Sequence, residues 1–397
     1  MNDSKYIYLD NAATTPMDPR VIEEVNKHFK ETYGNSSSLH SIGQKAGQVL
    51  IKSRGIVASL INANTGDIYF TSSGTEADNI AIFGVTSKCK KRGNHIITSS
   101  IEHHAILNPC KELEKRGFNV TFLPVDKFGL ISTQSLEDAI TDKTILISIM
   151  FANNEIGTIE PIKEIGAIAK NYDIIFHTDA VQAFGKVPID VNDINIDLLS
   201  ASAHKLYGPK GVGMIYIRNN GVRKDWGKFI EPIMYGGGHE KNMRPSTINI
   251  PGIAGFSKAA EIAKEEMPKE IEIQTKLRDK IIRWVIENIE DSFLNGHPTQ
   301  RLPNNVNLGF KYIEGESIVL DLDANGIATS TGSACSSESL EPSHVLLAIG
   351  LKPENTHGSL RVSLGRFTSN EDIDYFLEKL PPVIERLRRI SPLRKGV

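Results

Sequence analysis

The feature that most constrains the fold of this chain is a regular alternation, between residues 68 and 217, of short apolar runs with segments of helical periodicity. The apolar runs, each of strand length, lie at residues 68–70, 95–98, 120–123, 145–151, 174–177, 197–200 and 213–217. Helical segments such as 78–91 and 161–171 lie between them. Because strands that alternate with helices form parallel sheets covered on both faces, we predict an α/β fold with a mostly parallel seven-stranded sheet.

After about residue 255 the pattern changes. A helical stretch rich in Glu and Lys runs from Phe256 to Ile289, and strands are predicted at 305–308 and 317–322. Thr368-Ser-Asn-Glu371 has the pattern of a capping box that opens a final amphipathic helix. This mixture of elements predicts a smaller α+β domain in the C-terminal part of the chain.

The patterns together predict a large domain at 16–255 and a small C-terminal domain at 256–397, joined by an N-terminal segment, 1–15. The chain has 397 residues, which is enough for two such domains. Its composition, 40% hydrophobic and 23% charged, is typical of a soluble globular protein. A formal net charge of −3 indicates no direct binding to nucleic acid. No apolar stretch reaches the ~20 residues of a membrane span, so no membrane association is expected.

The three cysteines, Cys89, Cys110 and Cys335, are odd in number and far apart. This spacing argues against a disulfide framework and favours a reducing compartment. The polar N-terminus lacks the apolar core of a signal peptide, so we expect a cytoplasmic protein. No metal site is expected, because no cysteine pair has C-x-x-C spacing and the neighbours His103 and His104 point apart on regular structure.

Asn154, Asp179 and Lys205 each come shortly after a predicted strand. In parallel sheets, ligands bind beyond the carboxyl ends of the strands, so these three side chains mark a candidate site. Lys205 is flanked by His204 and precedes a run of glycines. Lysine amines in such surroundings form Schiff bases, and pyridoxal 5'-phosphate (PLP) is the aldehyde most often held in this way. A solvated surface lysine is the alternative interpretation.

The other needs of PLP also have candidates. The segment Thr71–Asp78 has the pattern of a strand, a glycine turn and the start of a helix. The backbone of Gly74 and Thr75 and the Thr75 hydroxyl in this segment suit a phosphate. An ordinary glycine turn is the alternative interpretation.

Asp179 is the candidate partner of the pyridine nitrogen, because an aspartate after a buried strand is costly unless it is paired. Gln182 or Asn154 could bond the ring hydroxyl. His103 could stack on the ring and pass protons.

A second kind of chemistry is indicated by Cys335, which lies in the polar segment 328–339. A thiol in a polar loop is accessible and can act as a nucleophile, although a lone cysteine is often incidental. Cys89 and Cys110 lie in helical patterns and are interpreted as packing residues. Arg361 alternates with apolar residues on a strand pattern and could clamp a carboxylate; a surface salt bridge is the alternative.

Taken together, these residues show that the chain resembles the cysteine desulfurases, which are fold-type I PLP enzymes related to the class V aminotransferases. The resemblance runs almost end to end and is carried by Tyr8-Leu-Asp-Asn-Ala-Ala-Thr-Thr15, Tyr33-Gly-Asn35, Ser73-Gly-Thr-Glu-Ala-Asp-Asn79, Glu102-His103, Asn153-Asn-Glu-Ile-Gly157, His177-Thr-Asp-Ala-Val-Gln182, Ala203-His-Lys-Leu-Tyr-Gly-Pro-Lys-Gly211, Gly236-Gly-Gly-His-Glu240, Gly332-Ser-Ala-Cys335 and Arg361-Val-Ser-Leu-Gly-Arg366. The Ser-Ala-Cys loop is similar to that of the group whose long mobile loop carries sulfur to partner proteins.

The resemblance implies a role for each candidate residue. At the PLP ring, it implies that Lys205 is the Schiff-base lysine and base, that His103 stacks and transfers protons, that Asp179 pairs with the pyridinium, and that Gln182 binds the ring hydroxyl, while Asn154 contacts this hydroxyl and the substrate. The residues implied to bind the phosphate are Gly74, Thr75, Ser202 and His204, together with Thr247 of the partner subunit. For the substrate, it implies carboxylate binding by Asn35 and Arg361 and nucleophilic attack on sulfur by Cys335.

Two departures from the family pattern are visible. The usual Gly-Asn-Pro-Ser has Ser36 in place of proline, which loosens a turn near the substrate. The usual Arg-Ser-Gly-Thr has Pro245 and Ser246 before Thr247, which stiffens the approach to the phosphate threonine. Neither departure removes a reacting group.

The implied function is a homodimeric enzyme that converts L-cysteine to L-alanine and leaves a persulfide on Cys335. The persulfide would supply an iron–sulfur scaffold protein, tRNA thiolation, or both. The alternatives are a selenocysteine lyase or a PLP-dependent transaminase on the same fold, and a non-catalytic sulfur-delivery scaffold. A nicotinamide dehydrogenase is disfavoured because no G-x-G-x-x-G follows an early strand.

Overall fold

The computed structural model describes residues 6–219, 228–332 and 342–392. The strands are β1 (Ile7–Tyr8), β2 (Ile68–Thr71), β3 (His95–Ser99), β4 (Asn119–Leu123), β5 (Thr144–Ser148), β6 (Ile175–Asp179), β7 (Leu198–Ser202), β8 (Gly213–Ile217), β9 (Ser292–Asn295), β10 (Asn305–Phe310), β11 (Ile327–Ala328) and β12 (Ser359–Ser363). The α-helices are α1 (Pro19–Glu31), α2 (Ser41–Ser59), α3 (Gly74–Cys89), α4 (His104–Lys115), α5 (Thr133–Ala139), α6 (Ile162–Asn171), α7 (Ile250–Asn288), α8 (Gly315–Ala324), α9 (His344–Ala348), α10 (Pro353–Thr356) and α11 (Asn370–Ile390). No helix in these ranges has the length and apolar character needed to cross a bilayer.

The central sheet has seven strands in the order β2-β8-β7-β6-β5-β3-β4. All neighbours pair in parallel except β8, which is antiparallel to both β2 and β7. One face packs against helices that include α2, α6 and α7, through Val57, Ile165 and Phe256. The other face packs against α3 and α4, through Ile80 and Ile106. The predicted α/β class and seven-stranded sheet are thereby confirmed, and burial on both faces explains the continuous apolar runs.

A second core lies around the antiparallel sheet β12-β10-β9. Val306 and Leu360 of this sheet pack with Ile281 of α7 and Phe376 of α11. The 39-residue helix α7 therefore contributes its first half to the large core and its second half to this one. Strand β1 pairs in parallel with β11, and Ile7 joins the second core. The domain division at residues 255/256 stays a prediction.

Three sequence predictions differ from the structure. The stretch 317–322 is not a strand but lies in helix α8, where buried Gly315, Ile318 and Leu322 recur at helical spacing. The β-branched pair Ile318-Val319 made this segment resemble a strand. The capping box of α11 is formed one residue later than predicted, by Ser369 and Asp372. The apolar run 145–151 leaves the regular strand after Ser148.

The carboxyl ends of β5, β6 and β7 lie side by side and place the candidate residues together. The chain beyond β5 stays aligned with β6, because the Phe151 amide donates to the Asp179 carbonyl at 2.9 Å. The Ala180 amide likewise donates to the Ser200 carbonyl at 3.0 Å. Asn154, Asp179 and Lys205 therefore emerge at one edge of the sheet, as predicted.

The segment that precedes α7 contains several residues with left-handed backbone. Glu240 has φ 46°, and Ser246 has φ 95°. The Glu240 carboxylate is buried and accepts hydrogen bonds from Arg54 Nη2 at 2.6 Å, Arg54 Nη1 at 2.7 Å and the Phe70 amide at 2.8 Å. This carboxylate therefore ties the strained segment to α2 and β2.

We expect Glu240→Ala to lower the free energy of unfolding by about 3–5 kcal/mol, because it leaves the Arg54 guanidinium without its buried partner. Urea denaturation followed by far-UV circular dichroism measures the change. The control is Glu112→Ala, which removes an exposed carboxylate paired with Arg116 at 3.1 Å and should leave the free energy of unfolding nearly unchanged, because solvent screens the pair. Equal effects of the two substitutions would contradict the structural role of Glu240.

Ser246 occupies a position where the family that this chain resembles usually has glycine. A φ of 95° is unfavourable for a residue with a Cβ. We expect Ser246→Gly to raise the free energy of unfolding by about 1 kcal/mol. Ser135→Gly in helix α5 is the control and should lower it by about 0.5–1 kcal/mol. A destabilising effect of Ser246→Gly in the same urea experiment would show that the strain is absent.

Candidate active site

A cavity of about 370 Å³ opens at the carboxyl ends of β5, β6 and β7. Ten of the residues predicted from the sequence line it: Gly74, Thr75, His103, Asn154, Asp179, Gln182, Ser202, His204, Lys205 and Arg361. Several other residues line the cavity without a role predicted from the sequence, among them Ala12, Ala13, Asp78, His104, Glu155, Ser343 and His344. The volume lies in the range of about 300–1,000 Å³ typical of small-molecule sites.

Two predicted residues are not part of this cavity wall, and a third is not among the described residues. Asn35 and Thr247 are exposed and do not line the cavity. Cys335 lies outside the described residues. Gly332 and Pro342, between which it falls in the sequence, both line the cavity.

Lys205 lies in a single 3₁₀ turn, Ala203–Lys205, directly after β7. Its Nζ donates to the carbonyl oxygens of Ala12 at 2.7 Å and Ala13 at 2.6 Å. The N-terminal segment therefore holds the amine at the cavity wall. The sequence offered one signal for this contact, since the string that contains Ala12 and Ala13 carries part of the family resemblance.

The start of helix α3 lines the cavity and has features that suit an anion. Ser73 caps the helix by accepting from the Glu76 amide at 3.1 Å. A Cβ at Gly74 would lie 2.6 Å from Val181 Cγ2, so only glycine fits there. Within the described residues, the hydroxyls of Thr75 and Ser202 have no hydrogen-bond partner. Free amides at a helix N-terminus together with such hydroxyls suit a phosphate group.

The buried aspartates on the cavity floor differ in their surroundings. Asp179 accepts from the Val181 amide at 2.9 Å, and burial raises its pKa to about 6, although that bond and the charge of Lys205 lower it. Burial, and then the charge of Asp179, raise the pKa of Asp78 well above its usual value. Asp78 Oδ1 lies 3.7 Å from His177 Nε2. Asp179 is thus the carboxyl that ionises more readily, and it suits a cationic partner.

His103 is the N-cap of helix α4, and its Nδ1 accepts from the Ala105 amide at 3.1 Å. In the neutral ring the proton is therefore on Nε2. Burial, reinforced by the positive charge of Lys205, lowers the pKa of His103 to about 4. His204 is similar, because burial and Lys205 lower its pKa to about 4. Both rings are neutral at physiological pH.

A second pair of histidines was missed from the sequence. The rings of His104 and His344 have centroids 5.0 Å apart at the cavity wall. His344 Nε2 donates to the Glu102 carbonyl at 3.0 Å. The residues come from the starts of α4 and α9, far apart in the sequence, so no local pattern predicted their contact.

Arg361 is 2% exposed, which excludes the alternative of a surface salt bridge. Its Nη1 donates to the carbonyls of Asn154 at 3.0 Å and Gly332 at 3.2 Å, and its Nη2 donates to Asp10 Oδ1 at 2.9 Å. Its Nε has no hydrogen-bond partner among the described residues. A buried guanidinium beside a cavity, already paired with one carboxylate, is suited to bind another.

The described residues bear on two further predictions. Cys89 and Cys110 are buried, and burial raises their pKa values to about 11 and about 12, so they are packing residues as predicted. Across residues 6–219, 228–332 and 342–392, no group of three or more His, Cys, Asp or Glu side chains is arranged to hold a metal ion.

Comparison with known proteins agrees with this geometry. The sequence model of the family described as aminotransferase class-V matches residues 7–376. The chain is 55% identical over 392 residues to "Cysteine desulfurase IscS" of Clostridium botulinum, covering 98% of this chain and 97% of that protein.

Solved structures are similar over nearly the whole chain. A structure titled "NIFS-LIKE PROTEIN" aligns with a TM-score of 0.88 at 36% identity, covering 96% of this chain and 100% of that one. "SspA in complex with cysteine" aligns with a TM-score of 0.79 at 36% identity, covering 91% and 100%. The chain belongs to the class-V aminotransferase family and, within it, to the cysteine desulfurases.

Proposed function

We propose that this protein is a PLP-dependent cysteine desulfurase that converts L-cysteine to L-alanine and transfers the sulfur to the thiol of Cys335. The observation that carries the proposal is the convergence of Lys205, Asp179, His103 and the start of helix α3 on one cavity. The relatives named cysteine desulfurase and the related structure that contains cysteine support the same activity.

The residues of the cavity suit PLP at its ring and aldehyde. When bound, PLP supplies an aldehyde that condenses with amines and a ring that accepts electrons from the substrate Cα. Lys205 would hold the aldehyde carbon. Asp179 would pair with the protonated ring nitrogen, whose positive charge favours the ionised form of the Asp179 carboxyl. Gln182 and Asn154 would lie at the ring hydroxyl, and neutral His103 would stack on the ring.

The phosphate would bind at the start of α3. The Gly74 and Thr75 amides, the hydroxyls of Thr75 and Ser202, and His204 provide neutral donors there. His204 Nδ1 lies 3.0 Å from Thr14 Oγ1, which orients its ring. Thr247 does not line this cavity, so its implied role requires a second subunit.

We infer that the functional unit is a homodimer. Large apolar side chains are exposed near the start of the chain and before α7, among them Phe29 at 65%, Tyr33 at 73%, Leu39 at 92%, Ile51 at 67% and Tyr235 at 82% exposure. Ser37 Oγ and His239 Nδ1 are 3.4 Å apart, so the two segments are neighbours. An apolar surface of this kind suits a second copy, which would bring Thr247 and Asn35 to the sites.

The chain's own side chains can carry the steps of the reaction. Arg361 and Asn35 would bind the carboxylate of L-cysteine. Lys205 would remove the Cα proton, and His103, with its proton on Nε2, would pass protons to and from the substrate.

The Cys335 thiolate would attack the substrate sulfur, so that the new S–S bond forms as the substrate Cβ–S bond breaks. Protonation at Cβ then completes alanine, and Cys335 holds a persulfide. In the sequence, Cys335 lies three residues after Gly332, which lines the cavity.

The persulfide would pass to a protein acceptor. We propose an iron–sulfur scaffold protein, with a tRNA-thiolation acceptor as the second candidate, in the cytoplasm. A selenocysteine lyase or a transaminase on the same fold is the alternative activity. Assays with L-cysteine, with selenocysteine, and with alanine plus a keto acid separate these activities.

Replacement of Lys205 tests the cofactor assignment. We expect the purified protein to absorb visible light as a PLP protein and Lys205→Ala to lose this absorbance, because the variant lacks the amine that condenses with the aldehyde. Absorption spectra after incubation with PLP measure the change. Lys163→Ala removes an exposed lysine paired with Asp193 and should leave the spectrum unchanged. The same spectrum for Lys205→Ala as for the parent would reject the assignment.

Replacement of Cys335 tests the nucleophile. We expect Cys335→Ala to keep bound PLP but to lower alanine formation from L-cysteine on the order of a thousandfold or more, because the substrate sulfur then has no acceptor. Alanine release and the visible spectrum are the two measurements. Cys89→Ala, at a buried packing position, should keep both. Parental alanine formation by Cys335→Ala would exclude Cys335 as the acceptor.

A further inference from the structure

Lys186 is a partly buried amine that the proposed reaction does not use. It lies in the turn after β6 and borders a small second cavity that is also lined by Tyr207, Glu270 and Arg366. No carboxylate of the described residues forms an ion pair with Lys186. Glu270 is already bound by Arg366 Nε at 2.6 Å. The ammonium therefore has a different partner.

That partner is the side-chain amide of Gln182. Lys186 Nζ donates to Gln182 Oε1 at 3.0 Å, and Gln182 Nε2 donates to the Ala12 carbonyl at 2.8 Å. The same carbonyl accepts from Lys205 Nζ at 2.7 Å. A continuous chain of hydrogen bonds thus runs from Lys186 through Gln182 to the amine that faces the cavity.

This chain determines which way the Gln182 amide points. An ammonium has three donors and no acceptor, so it can face only the amide oxygen. In the reversed orientation, the Gln182 NH₂ would face the Lys186 ammonium and its oxygen would face the Ala12 carbonyl. Both contacts would be repulsive. In the observed orientation, one N–H of Gln182 bonds Ala12, the second N–H has no hydrogen-bond partner among the described residues, and Gln182 itself lines the cavity.

The electrostatic surroundings of Lys186 agree with such a role. Burial, together with the charges of Lys205 and Arg361, lowers the pKa of Lys186 to about 7, and the Glu270 carboxylate opposes this shift. The amine is a hydrogen-bond donor in both protonation states. Since Lys186 Nζ bonds the Gln182 amide oxygen and forms an ion pair with no carboxylate of the described residues, it acts chiefly on that amide.

We propose that Lys186 is a positioning residue that fixes the orientation of the Gln182 amide, so that Gln182 presents a donor to the ring oxygen of PLP. The inference rests on the proposed function and extends it to a residue that does not line the cofactor cavity. Lys186 itself touches neither cofactor nor substrate in this scheme.

The test is a double-mutant cycle on PLP binding by protein from which PLP has been removed. We expect Lys186→Met to raise the PLP dissociation constant about three- to tenfold, because it loses one oriented hydrogen bond. Gln182→Met should weaken binding at least as much. The double variant should bind no more weakly than Gln182→Met alone, because both changes remove the same contact. If the fold-increases in the PLP dissociation constant caused by the two substitutions multiply in the double variant, the proposal is overturned.

A spectroscopic readout separates positioning from a merely structural role. We expect the visible absorption of the PLP-loaded protein to change with pH. The midpoint of this change should move to higher pH in Lys186→Met, because loss of a hydrogen-bond donor and of a positive charge favours the protonated form of the bound PLP. Lys163→Met is the control for loss of a distant, exposed lysine and should leave both measurements unchanged. An unchanged midpoint in Lys186→Met would count against the proposal.

Two further comparisons keep the test decisive. If Lys186→Met does not fold, Lys186→Gln takes its place. Glutamine both donates and accepts hydrogen bonds, so it does not select one orientation of Gln182. Lys186→Gln should therefore also weaken PLP binding. If the parent protein fails to bind PLP, the proposed function is wrong. If the parent binds PLP and the Lys186 variants bind it equally well, only the positioning role is wrong.

Discussion

The hydrogen bonds formed by residues 9–15 hold two hydrophobic cores around one cavity, and the rest of the site depends on them. Leu9 packs in the second core, and Asp10 pairs with Arg361 at 2.9 Å. Two and three residues further on, the Ala12 and Ala13 carbonyls bind Lys205. This short segment, which turns at residues 11–13, thus joins the small sheet to the carboxyl edge of the large one. Since each contact spans a long stretch of sequence, the cavity forms only when both cores are folded.

Burial determines the charge pattern inside the cavity. It lowers the pKa values of His103 and His204 to about 4, so these rings are neutral hydrogen-bonding groups. The positive charge at the site comes from Lys205 and Arg361, and Asp179 ionises more readily than the neighbouring Asp78. Such a site favours ligands that carry a phosphate or carboxylate at one end and a cationic nitrogen at the other.

Much of the fold and part of the site could be predicted because the relevant signals are local. Strands buried on both faces require continuous apolar runs, and Asn154, Asp179 and Lys205 follow such runs directly. The 317–322 segment was misassigned because β-branched residues occur in helices as well as strands, and tertiary packing decides between them. Asp10 and His344 were not predicted, because their roles arise from contacts with Arg361 and His104 far along the chain.

The sequence by itself determined the order of strands and helices, the positions of the polar residues at strand ends, and the family resemblance. These properties depend on periodicity and on short motifs, which are readable within about twenty residues. Only the tertiary structure decided that Arg361 is buried against Asp10, that backbone carbonyls hold Lys205, and that Lys186 bonds the oxygen of the Gln182 amide. Such choices depend on which groups meet in space after the two cores pack, and no local pattern in the chain encodes them.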